Sequence, residues 1–261
     1  MKRLLLLSLL LAAATFAASS HQSAAVAAPG DDGPVYEMRT YWAHPGKLDA
    51  LHARFRDHTV RLFEKHGMRN LGYWTPIENP DQKLVYVIQH AGREARQKAF
   101  QAFGADPEWQ KARAESEANG PLVAKAESVL LRATDYSPPI RPSKADERVF
   151  ELRVYTASAG NLGRLNARFR DHTLALFAKH GMTNVAYWNV LAGEKGADTM
   201  LIYFLAHRSR EAARASFSAF GQDPAWVAAR SASEAAAGGS LTAPSGVKST
   251  FLSAVDYSPT R

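Results

Sequence analysis

Cysteine is absent from the 261 residues. This excludes disulfides, thiol nucleophiles and metals held by thiolates. The chain also lacks a phosphate-binding loop, a dinucleotide fingerprint, a G-x-S-x-G elbow and an HExxH zinc motif. It has nine histidines, but no two of them have the i, i+4 spacing of a helical zinc site. We therefore predict no metal site from the sequence.

Long apolar runs are confined to the N-terminus. Lys2 and Arg3 precede about 15 mostly apolar residues, and small residues follow. This order is typical of a secretory signal peptide, and the run is shorter than the roughly 20 residues that span a bilayer. The sequence predicts a leader over residues 1–27, cleaved after Ala17 or after Ala27. We therefore expect a periplasmic or secreted protein with no stable membrane anchor.

Basic residues are in excess but are not clustered. The formal net charge is +7, of which the leader contributes two charges through Lys2 and Arg3. An exported protein without a basic run has little opportunity to meet nucleic acid, so we predict no nucleic-acid partner. The charge implies only a mild attraction to anionic surfaces.

The chain contains two copies of one domain-sized segment. The hexapeptide RFRDHT occurs at residues 54–59 and again at 168–173, and 23 of the 41 positions from Tyr36 to Pro76 match at a shift of 114. A later block, which begins at Phe100, recurs at a shift of 117. This period is too long for a solenoid unit and indicates a duplicated domain. We predict one domain over residues 35–138, a Pro-rich linker over 139–148 and a second domain over 149–259.

Each copy shows the same order of elements. Alternating residues predict strands, residues at helical spacing predict helices, and Gly67 and Gly104 follow helix ends. Asp106 and Pro107 are typical of the start of a further helix. In the first copy we predict strands over 35–42, 70–76, 83–90 and 123–134, and helices over 47–66 and 93–103, with the further helix from 107.

The predicted order is β-α-β-β-α-β, a ferredoxin-like unit of the α+β class. Helices cover one face of its sheet, so the other face must be buried or used. Two such sheets packed face to face form a barrel. The duplication would make that pairing intramolecular.

The same residues resemble a known family. The strand YEMRTY, the following PGKL, the RFRDHT…LFEKHGM helix, the YW and LVYVI strands and the F-x-x-FGxDPxW segment are similar to the NIPSNAP domain. Both copies carry the resemblance, over nearly the whole chain after the leader. It implies the dimeric α+β barrel architecture. That superfamily includes monooxygenases and haem proteins, whereas the NIPSNAP family has no settled enzymatic activity.

The first strand carries the main candidate site. Alternation places Glu37, Arg39 and Tyr41 on one face, opposite a more apolar face that contains Met38. We expect the apolar face to meet the helices and the polar face to line the barrel interior. A buried glutamate and arginine two residues apart must pair or face water.

Two interpretations of this polar face remain open. In the first, the charged residues pair with each other and stabilise the barrel. In the second, they form a cleft in which arginine binds an anion and Glu37 or Tyr41 transfers a proton. The duplication repeats the pattern in the second copy as Glu151, Arg153 and Tyr155.

The third strand and the first helix add further candidates. On the strand, Tyr86 and His90 share a face and are interpreted as reaching the same cavity. Their equivalents are Tyr203 and His207. For His90, at the strand end, a solvated or capping residue is the alternative. On the helix, His58 and His172 lie beside the apolar stripe, where a partly buried structural histidine, a general base and a haem ligand remain alternatives.

The two copies differ in their polar surface. Arg61, Glu64, Gln89 and Arg96 of the first copy correspond to alanines in the second. We therefore expect the halves to be functionally unequal.

The sequence thus predicts an exported tandem protein that binds a small molecule or a protein partner through its barrel. The alternative is a cofactor-free or haem-dependent monooxygenase-like enzyme of the same barrel type. No cofactor is predicted, and haem remains the one alternative. The unit is expected to be a monomeric barrel, and the sequence leaves open whether it pairs again as a homodimer.

Overall fold

The computed structural model describes residues 33–140, 143 and 148–261. The predicted signal peptide lies outside the described residues, as do 141–142 and 144–147 of the predicted linker. None of the described helices is both long enough and apolar enough to cross a membrane.

The first repeat has the predicted β-α-β-β-α-β order. The further helix predicted from residue 107 is also present. Its elements are β1 Val35–Ala43, α1 Leu48–Arg54, α2 Val60–Lys65, β2 Arg69–Pro76, β3 Lys83–His90, α3 Arg93–Ala105, α4 Pro107–Ser116 and β4 Val123–Ala133.

The second repeat has the same order, with a longer last helix and a longer last strand. Its elements are β5 Val149–Ala157, α5 Leu162–Arg168, α6 Leu174–Lys179, β6 Thr183–Val190, β7 Met200–His207, α7 Arg210–Gln222, α8 Pro224–Ala237 and β8 Thr242–Ala254.

The described strands close into one antiparallel barrel in the order β1-β3-β2-β8-β5-β7-β6-β4. Within each repeat the strands pair over nearly their full length, as in β1 with β3 and with β4. Two short ladders join the repeats, β2 with β8 and β4 with β6. The predicted intramolecular barrel is therefore confirmed, and closure removes the free sheet edges.

Apolar side chains from both repeats fill the barrel interior. Met38, Trp74 and Val87 of the first repeat share one buried cluster with Phe150 and Phe204 of the second. The ring centroids of Trp74 and Phe204 are 4.8 Å apart. The barrel interior is thus a packed core of the kind that stabilises small barrels.

The predicted orientation of β1 and β5 is wrong. Met38 points into the barrel, whereas Tyr41 packs against the helices with Tyr86. Both faces of the strand are covered, so apolar character alone did not distinguish them. The closed interior offers little to satisfy a charge, so it takes the apolar face, and the polar face lies under the helices, whose side chains provide partners.

The predicted single helix over 47–66 is interrupted by one π-helical turn. This turn spans Phe55–Thr59 and links α1 to α2; its counterpart in the second repeat is Phe169–Thr173. Both lie within the RFRDHT hexapeptide. The buried hydroxyl of Thr59 donates to the carbonyl of Arg54, five residues earlier, at 3.1 Å. Wide turns of this kind are frequent at functional sites.

The helix that follows α3 begins as predicted. The carboxylate of Asp106 accepts from the backbone N–H of Glu108 at 2.9 Å, and Pro107 occupies the first turn. His66 Nε2 and Lys65 Nζ also lie 2.7 Å from Asp106. Because Asp106 both caps α4 and binds the end of α2, it fixes the angle between these helices.

Candidate functional site

A buried carboxylate organises the space between the sheet and the helices of the first repeat. Glu37 has no exposed surface. Its oxygens accept from Arg39 Nη1 at 2.6 Å and from Arg96 Nε and Nη2 at 2.6 and 2.9 Å. Ser128 Oγ donates at 2.6 Å, and His90 Nε2 lies 3.1 Å away.

The topology of the sheet brings these groups together. Glu37 lies opposite Ile88 of β3 and Leu130 of β4, so both neighbouring strands contribute to its surroundings. Arg96 comes from α3. The charged residues of the polar face pair with each other, as the first of the two interpretations required.

Hydrogen bonding outweighs burial in setting the acidity of this carboxyl. Burial raises the pKa of Glu37, but hydrogen bonds from His90, Arg96 and Ser128 and the charge of Arg39 bring it well below its usual range. Glu37 therefore stays ionised and is unsuited to accept a proton near neutral pH. Burial lowers the pKa of Arg39, but the neighbouring Tyr86, Tyr41 and Glu37 raise it overall, so Arg39 stays charged.

The second repeat has a reduced version of this cluster. Glu151 binds Arg153, Ser249 and His207, but alanine occupies the position of Arg96. Arg153 Nε also donates to the hydroxyl of Tyr203 at 3.0 Å. In the first repeat the corresponding Arg39 Nε and Tyr86 hydroxyl have no hydrogen-bond partner among the described residues.

A cleft of about 300 Å³ opens beside this cluster, between β1, β4 and the helices of the first repeat. Aromatic side chains are the largest group among its lining residues. The lining includes Tyr41 on β1, Phe55 in the π turn, Phe100 and Phe103 on α3 and Trp109 on α4.

Arginines give the cleft a positive character. Arg39, Arg54 and Arg113 line it together with a single carboxylate, that of Glu117. Arg54 Nη1 lies 2.8 Å from Glu117, and its guanidinium stacks over Trp109 at 5.3 Å. Arg39 lies over Phe100 at 5.2 Å. The arrangement therefore combines fixed positive charge with flat apolar walls.

The structure brings only part of the predicted site to this cleft. Arg39 and Tyr41 line it, whereas Glu37 lies behind Arg39 with His90, out of reach of solvent. Tyr86 is fully buried in the apolar core beneath the helices. The expectation that Tyr86 and His90 reach into a cavity is therefore wrong for the described conformation.

The predicted histidines of the first helix lie elsewhere. His58 is half-buried and His172 is exposed, and each borders a groove on the outer side of the helices. In the second repeat, Tyr203 and His207 are as buried as their equivalents.

Sequence reasoning missed several residues of the cleft as functional candidates. Arg54, Phe100 and Trp109 come from three different helices, and no periodicity connects them. The identity of RFRDHT between the repeats was a usable signal, because it contains both Arg54 and the π turn.

The lining residues do not fit a haem. No histidine lines the described cleft, and Nε2 of His90 and of His207 is already bonded to glutamate. Within the described part of the chain, no group of three or more His, Asp or Glu residues is arranged to hold a metal ion.

Comparison with known proteins places both repeats in one family. The model of the family described as NIPSNAP matches residues 36–138 and 150–259. A NipSnap homologue of Dictyostelium discoideum is 28% identical over 133 residues, which is 50% of this chain and 52% of that protein. The chain thus aligns with about half the length of this relative.

Solved structures share the whole barrel. A proposed monooxygenase from Fusobacterium nucleatum is 11% identical with a TM-score of 0.55, covering 87% of this chain and 94% of that one. An anthrone oxidase-like protein is 13% identical with a TM-score of 0.51, covering 86% and 92%. At these identities the likeness concerns the fold alone.

Proposed function

The chain belongs to the NIPSNAP family, and we propose that it is an exported binding protein that holds a small aromatic anion in the cleft of its first repeat. One observation carries this proposal. Three arginines and a wall of aromatic rings converge on a cleft of about 300 Å³ with a single carboxylate in its lining. Small-molecule sites combine mostly apolar walls with a few fixed polar groups.

The charges around the cleft favour an anion. Glu37 is shared between Arg39 and Arg96, and Glu117 between Arg54 and Arg113. Four guanidinium groups thus face two carboxylates, which leaves positive charge uncompensated. Guanidinium groups suit carboxylates and sulfonates because they donate paired hydrogen bonds.

The walls favour a flat apolar body on that anion. Trp109 and Phe103 have ring centroids 4.4 Å apart and form one continuous surface beside Arg54. A ring that enters the cleft would stack on this surface, and its acidic group would face the arginines.

Calorimetric titration with 2-naphthoate tests the proposal. We expect one site per chain, because Arg153 of the second repeat already donates a hydrogen bond from Nε to the hydroxyl of Tyr203. The uncharged 2-naphthamide should bind at least about tenfold more weakly, equivalent to about 1.4 kcal/mol. Mass spectrometry of the native protein should also show a retained acidic compound.

A pair of blocking variants locates the site. Ala126 lies opposite Tyr41 and lines the cleft, and Val247 occupies the matching place opposite Tyr155. Ala126→Phe should weaken naphthoate binding at least about tenfold, whereas Val247→Phe should leave it unchanged. Equal binding of the amide, or naphthoate binding that Ala126→Phe leaves unchanged, would contradict the proposal.

A second candidate is a cofactor-free oxygenase acting in the same cleft. It is favoured by the structural likeness to the proposed monooxygenase and to the anthrone oxidase-like protein. Oxygen uptake with anthrone as the probe tests it. Uptake that Ala126→Phe abolishes and Val247→Phe leaves intact supports the enzyme, and no uptake above the uncatalysed rate excludes it for this substrate.

A further inference from the structure

The outer face of α8 has lost the polar side chains that its counterpart α4 carries. Four polar residues on α4, and a fifth in the turn that follows it, correspond to exposed apolar residues of α8. The pairs are Glu108 and Ala225, Gln110 and Val227, Lys111 and Ala228, Glu115 and Ala232, and Asn119 and Ala236.

The neighbouring helix α6 also carries an apolar residue where its counterpart α2 carries a charged one. In the first repeat Arg61 of α2 forms an ion pair with Glu108 of α4. Ala175 and Ala225 replace both partners in the second repeat. Val227, a branched apolar side chain, is 49% exposed. An apolar surface on which both members of an ion pair are lost is typical of a covered surface.

A groove runs along this face. Alanines of α8 and α5 form its apolar sides, and its volume is about 690 Å³. The matching groove between α1 and α4 has a volume of about 310 Å³, and Glu115 lines it at the position where Ala232 lines the larger groove. The same fold therefore leaves a larger groove in the second repeat.

An incompletely paired arginine forms part of the groove. Arg168 is 7% exposed, and its Nε has no hydrogen-bond partner among the described residues. Its Nη1 lies 3.6 Å from Glu234 and 3.3 Å from Ser233. Arg54, whose Nε is also unpartnered, is closer to its carboxylate Glu117, at 2.8 Å. Arg168 is thus held less closely by its carboxylate than Arg54 is, at the wall of the larger groove.

Both the charge and the shape of this face suit a copy of itself. Arg164 and Asp171 border the groove with opposite charges, and Arg230 and Glu234 flank the alanines of α8. A surface that carries both signs is able to pair each charge with its opposite on a copy rotated by a two-fold axis, whereas an acidic or basic partner would meet like charge. Alanines at 225, 228, 232 and 236 recur at spacings of three and four, which allows two helices to approach closely.

We propose that the α8 face, defined as α8 with the groove between it and α5, is a homodimer interface in which each copy seats α8 against the groove of the other. Such an isologous contact uses the same residues twice. It leaves the cleft of the first repeat open, because that cleft is lined by residues of the first repeat only.

The absence of cysteine provides a direct test. Ala232→Cys puts one thiol on the α8 face of the otherwise cysteine-free protein. Glu115→Cys puts one at the matching position of α4 and is the control. Mild oxidation should convert most of the Ala232→Cys protein into a disulfide dimer and little of the control. Equal cross-linking of the two variants would overturn the proposal.

Sedimentation velocity tests the same interface without a covalent bond. We expect the purified protein to be dimeric at about 20 µM, within the range in which standard interfaces associate. Ala228→Lys with Ala232→Glu restores the residues of the first repeat at exposed helix positions. This double variant should keep the far-ultraviolet circular dichroism and weaken dimerisation at least about 100-fold, or 2.7 kcal/mol. A monomeric wild type, or a dimer that the double variant preserves, would overturn the proposal.

Discussion

The surroundings of Glu37 and Glu151 differ by one substitution and are otherwise equivalent. Both carboxylates are buried, and both bind an arginine two residues along the strand, a serine and a histidine. Only Glu37 has a second arginine, because alanine occupies the equivalent position of α7. The first repeat therefore concentrates more charge beside its cleft.

This difference predicts unequal costs of removing the two carboxylates. Glu37→Gln leaves Arg39 and Arg96 without their carboxylate and should lower the free energy of unfolding by about 3 kcal/mol. Glu151→Gln leaves only Arg153 and should cost at least about 1 kcal/mol less, since charged hydrogen bonds contribute on that order. Urea unfolding of both variants measures the difference, and equal losses would contradict the role given to Arg96.

The effect of Glu37→Gln should also depend on pH. The pKa of Glu37 is lowered from 4.5 in the folded protein. A depressed pKa stabilises the folded state fully above the unfolded value, and this stabilisation is lost as the pH falls. The stability gap between wild type and Glu37→Gln should therefore be constant from about pH 6 to 8 and narrow below about pH 4.5. A gap that widened on acidification would show that Glu37 is protonated in the folded state.

At the scale of elements, the π turn sets the shape of the first helix. It lies between α1 and α2, and two of its residues, Phe55 and Thr59, line the cleft. Asn70 of β2 donates to the carbonyl of Val60 at 2.8 Å, just after the turn. Thr59 and Asn70 thus bind carbonyls at and just beyond the point where the regular helical pattern is interrupted.

Removal of the threonine hydroxyl should destabilise the turn. Thr59→Val keeps the side-chain volume but leaves the buried carbonyl of Arg54 with one donor fewer, so we expect a loss of about 1 to 2 kcal/mol. Thr173→Val should cost the same, because Thr173 makes the same contact at 3.0 Å. Chemical denaturation of the single variants and the double variant measures this.

The double variant is the internal control. The two turns belong to different repeats and share no contact partner in these bonds, so their losses should add to within about 0.5 kcal/mol. Unchanged stability of both single variants would mean that the hydroxyls do not hold the turns.

At the scale of the whole molecule, the repeats are not independent domains. Trp74 of the first repeat contacts Phe150 and Phe204 of the second, and Tyr36 contacts Trp188. Neither repeat can bury its barrel face alone. The barrel should therefore unfold as a single cooperative unit.

A cavity in the second repeat should consequently lower the stability of the first repeat as well. Phe204→Ala removes a fully buried ring of β7 and should cost about 3 to 5 kcal/mol. Hydrogen exchange should show reduced protection of the amides of β2 and β3 as well as those of β7. Loss of protection confined to the second repeat would contradict a shared core.

The surroundings of the two tryptophans in this core also differ. A Cβ atom on Gly72 would clash with the Trp74 ring, so this position requires glycine. The second repeat has Ala186 in the same place. The barrel interior thus departs from two-fold symmetry, as does the charge cluster outside it.

Local patterns predicted the fold because they repeat and because short-range rules govern them. The strand alternation, the Asp106-Pro107 helix start and the repeat itself predicted the order of elements and the pairing of two sheets in a barrel, and both are confirmed. The resemblance to the NIPSNAP domain predicted the family, which is also confirmed. The direction in which β1 faces could not be predicted from alternation, because alternation separates two faces without saying which one the barrel encloses. The cleft could not be found either, because Arg54, Phe100 and Trp109 come from separate helices.

The sequence by itself determined that two ferredoxin-like units lie in one chain and that each carries Glu-x-Arg-x-Tyr on one strand face. Local propensity and the duplication suffice for both conclusions. Only the tertiary structure decided that this face lies beneath the helices and that an aromatic, arginine-lined cleft opens beside it. The reason is physical: a closed barrel keeps its interior dry and apolar, so buried charge is stable only where helices from elsewhere in the chain supply its partners.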